Sequence, residues 1–434
     1  MNFPNINDKE ILRIALPAIA ANITVPLLGL VDVAITGHLG NAAYIGAIAV
    51  GSMIFNVVYW VFGFLRMGTS GMASQAYGRG DTAEALNLLA RGLCAGLAVA
   101  GAVLVLQRPL LTLALTVIGA NTDLLPLVNT YFDICVWGAP AMLCLYAITG
   151  WFIGMQDTRV TMTASIVQNI VNIVASLTLV YGFGMKIEGV ATGTLIAQYA
   201  GLLTALAFFV ARFGRKIRLI DIREVVRSEA LLRFFNVNRN IFIRTLFIVA
   251  VNLFFVSAGA THGTMTLAVN TLLMQLFTLF SYVMDGFANA GEVLCGKYTG
   301  ADDRGAFFAT VKRLFAWGAA LTVAYTAVYA LGGSAFLALL TDDSQVLRAA
   351  GEYLPWAIAI PAAGVAAFVW DGVFIGTTDT RGMLVSSAVS ALLFFGIYLL
   401  ASPILHNHGL WLAFIAYLLA RGVVQTIIFR NKNR

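Results

Sequence analysis

Phe152-Ile-Gly-Met-Gln-Asp-Thr-Arg159 recurs as Phe374-Ile-Gly-Thr-Thr-Asp-Thr-Arg381, with six of eight positions identical at a spacing of 222 residues. The same spacing relates Tyr131 to Tyr353, and nearly the same relates Leu12-Arg13 to Leu232-Arg233 and Tyr77 to Tyr298. Four matches in order at a near-constant offset point to an internal duplication. Each copy lies among apolar stretches near 20 residues long, the length a helix needs to cross a hydrocarbon core. The expected spans lie near 11–36, 43–68, 86–106, 128–152, 160–182, 189–213, 234–258, 264–290, 309–333, 347–375, 383–403 and 409–429. Six spans per copy is an even number, so both copies enter the membrane in the same sense. The expected architecture is an all-α integral membrane protein with twelve transmembrane helices in two six-helix lobes, related by a pseudo-two-fold axis along the membrane normal. The N-lobe is expected at 1–213, a basic cytoplasmic linker at 214–233 and the C-lobe at 234–434.

Composition agrees with this reading. Of 434 residues, 60% are hydrophobic and 11% charged, against roughly 45–50% and about 25% in soluble domains. In lipid only helices or closed barrels satisfy the backbone, and these runs are too long and too uniformly apolar for barrel strands. The net charge of +6 sits mostly beside the spans, which speaks for membrane orientation and against nucleic-acid binding. With the N-terminus inside, the inner loops collect Arg79, Arg159, the basic group from Arg215 to Arg233, Lys297, Arg304, Lys312, Arg313, Arg381 and the tail; the outer side receives only Arg108, Lys186 and Arg348. Both termini are therefore expected in the cytoplasm. Asp8-Lys9-Glu10 leads into a run too long for a signal-peptide core, so no cleavable leader is expected. Cys94, Cys135, Cys144 and Cys295 sit in apolar segments without metal-ligand spacing and read as small core hydrophobes. There is no phosphate-cradling loop and no nucleophile–base pair. The chain is expected to be no enzyme, to hold no cofactor or metal, and to draw its energy from an ion or substrate gradient.

A charge inside a span is costly and marks function by default. Asp32, in the outer half of span one, is the clearest case: an intramembrane carboxyl that could take up a proton or a cation. Asn169, Asn172 and Ser176 fall at i, i+3 and i+7 on one face of span five, and Thr194 in span six reaches a similar depth. These hydroxyls and amides could complete an oxygen shell beside Asp32 or serve as ordinary interhelical polar contacts. Pro17 and Pro26 interrupt span one and favour bending there. A second polar set lies toward the cytoplasm: Arg66 ending span two, Arg244 opening span seven, Asp285 and Glu292 closing span eight, and Asp371 near the inner end of span ten. It reads as interfacial pairing and snorkelling, as a cytoplasmic gate, or, at Asp371, as a C-lobe cation site.

These residues resemble the multidrug and toxic compound extrusion (MATE) family, and within it the DNA-damage-inducible DinF-like branch. The resemblance covers nearly the whole chain. It is carried by Ala15-Leu-Pro17, the Asn22–Leu39 stretch around Asp32, Phe64-Leu-Arg-Met67, Asn169-Ile-Val-Asn-Ile173 and Asp371-Gly-Val-Phe-Ile-Gly376. It implies antiport of amphiphilic, often cationic, drugs against protons or sodium across the bilayer, with Asp32 as coupling carboxylate, Pro17 as bending point, and Asn172 and Thr194 as N-lobe site members. A bacterial inner membrane and a monomeric state go with that reading. Where many relatives carry a second acid four residues after the span-five asparagine, this chain has Ser176. An acid that some sodium-coupled relatives carry in helix seven is not apparent either; span seven offers Asn252. A sodium site benefits from anionic oxygens, so the departure favours proton coupling. Two alternatives stand beside it: a sodium-coupled antiporter, and a flippase of a lipid-linked saccharide in the same superfamily.

Overall fold

The computed structural model describes residues 8–37, 42–118 and 122–433. Among them every regular element is helical: α1 (Asp8–Gly37), α2 (Ala42–Phe62), α3 (Phe64–Gly78), α4 (Thr82–Val105), α5 (Gln107–Ile118), α6 (Leu125–Cys135), α7 (Ala139–Gly154), α8 (Thr158–Leu177), α9 (Ile187–Phe213) and α10 (Ile222–Val225) in the first half. The second half holds α11 (Ser228–Thr261), α12 (Thr264–Gly300), α13 (Arg304–Leu340), α14 (Ser344–Gly376), α15 (Thr380–Leu405) and α16 (Asn407–Lys432). Helices α2 and α3 form one span broken at Gly63, and α6 and α7 form another through a tight turn at Val136–Gly138. Eleven spans among the described residues are long and apolar enough to cross a membrane, and the 30-residue α1 makes twelve. The chain is a multi-pass membrane protein of two six-helix lobes.

Packing divides the chain into two units, Pro17–Asn238 and Met1–Leu16 with Arg239–Arg434. The two boundaries are themselves 222 residues apart, so the division follows the duplication. Helices α1 and α11 each belong to both units.

The repeated octapeptide builds the same turn twice. After α7 and after α14 the chain reverses through a left-handed residue, Gln156 (φ 65°) and Thr378 (φ 56°). The next amide donates back across it: Asp157 N to Phe152 O, and Asp379 N to Phe374 O, both 2.9 Å. Gly150 and Gly154 leave no room for a Cβ against the backbone of α3 at Arg66 and Ser70, and Gly372 and Gly376 leave none against α12 at Ala288 and Glu292. All four pairs keep the spacing of 222. In lipid, helices associate through close van der Waals packing at small residues, because tails and side chains are equally apolar. The glycines therefore hold the helix contact that each lobe is built around.

The helices run past the apolar windows that mark them in sequence. α3 continues to Gly78, α11 starts at Ser228, and α12 runs to Gly300. Arg244, Asp285 and Glu292 stand inside helices and not at their ends, and Arg66 stands in the first turn of α3. The helices persist because polar residues beyond the windows are covered by protein: Ser70, Ser74 and Glu292 are all buried.

Candidate coupling site and a buried charge cluster

Helix α8 presents Asn169, Asn172 and Ser176 along one face, packed on α9 and bonded to α1. Gly193 of α9 lets that helix approach until a Cβ would strike Ser176, and next to it Thr194 Oγ1 accepts from Asn172 Nδ2 at 3.0 Å. Asn169 Nδ2 donates to the carbonyl of Thr24 on α1 at 3.2 Å. Tyr181, just beyond α8, donates to the carbonyl of Ile35 on α1 at 3.5 Å. The two contacts bracket one stretch of each helix: Asp32 lies between Thr24 and Ile35 on α1, and Asn172 and Ser176 lie between Asn169 and Tyr181 on α8. The side chains of Asp32 and Pro26 lie outside the described residues. Pro17 falls at the boundary between the two units, inside a helix that continues through it.

Asn172 and Ser176 are fully buried. Asn172 Oδ1 and Ser176 Oγ have no hydrogen-bond partner among the described residues. Leaving such atoms unpaired costs roughly 1–3 kcal/mol each. A proton donor or a cation seated beside them would offset that cost, and packing alone does not.

The second unit holds different chemistry at the same places. Phe254 stands 222 residues after Asp32, Phe394 after Asn172 and Tyr398 after Ser176. They form an aromatic cluster: Phe254 packs edge-to-face on Phe394 (ring centroids 5.9 Å apart) and on Tyr398 (4.9 Å).

Deeper in that unit lies a charge cluster. Asp371 of α14 accepts from Arg421 Nη2 at 2.6 Å and from Gln425 Nε2 at 2.7 Å, both on α16. Arg244 of α11 bonds to the same carboxylate oxygen as Arg421. None of the four residues is more than 7% exposed. Asp285 of α12 lies close enough to feel the charges of both arginines. The structure thus brings Asp371, Arg244 and Asp285 together, while Arg66 belongs to the other unit and Glu292 is buried elsewhere along α12. Arg421 and Gln425 escaped the sequence reading. Arg421 falls inside the expected last span, so the rule that singles out Asp32 should have found it.

A family model described as MatE matches residues 17–178 and 241–399, again once per repeat. The chain belongs to the MatE family. Members are transporters and not enzymes. This MatE protein is 35% identical over 433 residues to DNA damage-inducible protein F of Escherichia coli (strain K12), covering 99% of this chain and 94% of that one. It is 19% identical to multidrug export protein MepA of Staphylococcus aureus (strain NCTC 8325 / PS 47), covering 98% and 94%. Among solved structures, MATE in the bent conformation superposes with a TM-score of 0.87 at 18% identity, covering 98% of this chain and 95% of that one. A mutant of the Vibrio cholerae MATE transporter VcmN superposes with a TM-score of 0.86 at 17% identity, covering 98% and 96%. At such identities the structural likeness speaks for the MatE fold alone.

Proposed function

We propose that this MatE transporter exports amphiphilic compounds, cationic drugs among them, in exchange for protons, with Asp32 as the coupling carboxylate. The observation that carries the reading is the pair of buried oxygens without a partner among the described residues, Asn172 Oδ1 and Ser176 Oγ, on the stretch of α8 level with Asp32. Thr194 and Asn169 orient the face: one bonds Asn172 and the other ties α8 to α1. The face offers neutral oxygens in place of a second acid, which suits a proton better than sodium. Protonation of Asp32 would alter the affinity for substrate, and substrate binding would reciprocally release the proton. Pro17 is where α1 would bend.

Asp371 is read as an internal counter-ion, since its oxygens already accept from three donors. An exporter named for multidrug transport among the relatives supports the substrate class. An inner membrane with both termini in the cytoplasm, lobes at 1–213 and 234–434 and a monomeric state belong to the same proposal.

Efflux of a panel of cationic dyes from everted vesicles tests it. Export should collapse with a protonophore and persist without sodium. Strict sodium dependence would replace the ion. Export that survives collapse of both gradients would replace exchange with the flippase reading.

A further inference from the structure

The two units treat equivalent arginines differently. In the unit containing Arg239–Arg434, Arg313 of α13 forms an ion pair with Asp8 at the start of α1, and the Trp317 indole donates to the same carboxylate at 2.9 Å. The residues 222 positions away are Arg91 on α4 and Ala230 near the start of α11. Where one unit holds a carboxylate, the other holds a methyl group and a cavity of about 290 Å³, lined by both Arg91 and Ala230.

Arg79 and Arg233 also line this cavity. Neither forms an ion pair among the described residues, and Arg233 bonds to the neutral amide of Gln75 at 3.2 Å. The other charges of the cavity are mutually satisfied. Buried Arg91 pairs with Glu84 at 2.7 Å and donates to the carbonyls of Glu224 and Val225, and Arg227 pairs with Glu224 and Glu229. The turn itself does not require Arg79. It caps α3 as Ala301 caps α12. Both caps are followed by a left-handed residue, Gly80 (φ 71°) and Asp302 (φ 54°). An aspartate then caps the next helix at 2.9 Å in each case, Asp81 and Asp303.

We propose that this cavity binds the phosphate of an anionic membrane lipid, which takes the place that Asp8 fills in the other unit. Guanidinium forks match phosphate oxygens in pairs, and basic pockets between transmembrane helices suit lipid headgroups. Met72 and Leu88 give the cavity an apolar wall, which fits a lipid better than a free ion. The site is independent of the export mechanism.

The test uses the purified full-length protein in neutral detergent, with thermal unfolding followed by tryptophan fluorescence. Short-chain phosphatidylglycerol, short-chain phosphatidylcholine and inorganic phosphate are titrated separately. Phosphatidylglycerol should raise the midpoint by about 3–5 °C, and the other two should not. Arg79→Gln with Arg233→Gln should lose the response, while Arg215→Gln with Lys216→Gln, outside the cavity, should keep it. Ala230→Asp, which installs the carboxylate of the other unit, should raise the lipid-free midpoint and abolish the response; it carries the test if the double arginine variant fails to fold. No response to phosphatidylglycerol, an equal response to free phosphate, or an undiminished response in the cavity variants overturns the proposal.

Discussion

In the unit built on Pro17–Asn238, the positions around 172 and 176 are an amide and a hydroxyl whose buried oxygens have no partner among the described residues; in the unit built on Arg239–Arg434, the equivalent positions are rings packed edge to face on Phe254. Deeper along the helices the contrast reverses. Thr149 of the first unit corresponds to Asp371 of the second, where the carboxylate holds Arg244 and Arg421 in ion pairs. The turns and glycine contacts survive in both halves, and the chemistry does not. Duplication has left one half with a neutral polar face at these positions and the other with a cluster of paired charges. On the proposed reading, ion coupling is a property of one lobe, and the other contributes rigidity.

The largest expected effect breaks that division directly. Asp32→Asn removes a titrating group and keeps its size. Proton-driven dye export should fall to background while the protein still inserts and folds, since neutralising an intramembrane charge removes a desolvation cost. Substrate binding should release protons from the wild type and none from the variant. Full export by a well-folded Asp32→Asn protein would take Asp32 out of the mechanism.

Asp371→Asn should act on the fold instead. It leaves Arg244 and Arg421 buried beside a neutral amide. Breaking a buried pair from one side costs about 3–5 kcal/mol, so the thermal midpoint should drop sharply and folded yield with it. A stable variant that loses only its coupling would give Asp371 the role assigned here to Asp32.

Ser176→Asp adds the missing acid to the first unit. Export should become stimulated a few-fold by sodium, with roughly unchanged expression. Sodium indifference in a folded Ser176→Asp protein would mean that this position does not set ion choice.

The smallest effect is at Asp8. Hydrogen bonds from the Arg313 guanidinium, and then from the Trp317 indole, hold its carboxyl below the usual range near 4. Its contribution to stability is therefore present above that usual value and is lost as pH falls through the lowered one. Arg313→Gln should flatten this acid-limb decline in the unfolding midpoint and leave neutral-pH export alone. An unchanged acid limb would show that the pair contributes nothing measurable, as many exposed pairs do.

Much of the fold was legible in sequence because hydropathy and spacing are local quantities. Apolar runs gave the twelve spans, and the octapeptide gave the repeat, since a turn with a left-handed residue and two helix-contact glycines tolerates few alternatives. Helix ends were less legible: windows cannot see that Ser74 or Glu292 is covered by protein, so they stop where polarity begins. The polar face of α8 followed from helical periodicity. The cluster around Asp371 did not, because its members lie 127 and 50 residues apart along the chain. Arg421 was also hidden in plain view by its nearness to the basic tail, which invites an orientation reading.

Asp8 and Arg313 are separated by 305 residues, and the first turns of α1 pack within the unit that Arg239–Arg434 completes. Synthesis from the N-terminus therefore delivers these turns long before their partners exist. Most chains fold their earliest segments first as they emerge. Here the opening of the chain must wait through about three-quarters of translation, and the first turns made are among the last to be bonded.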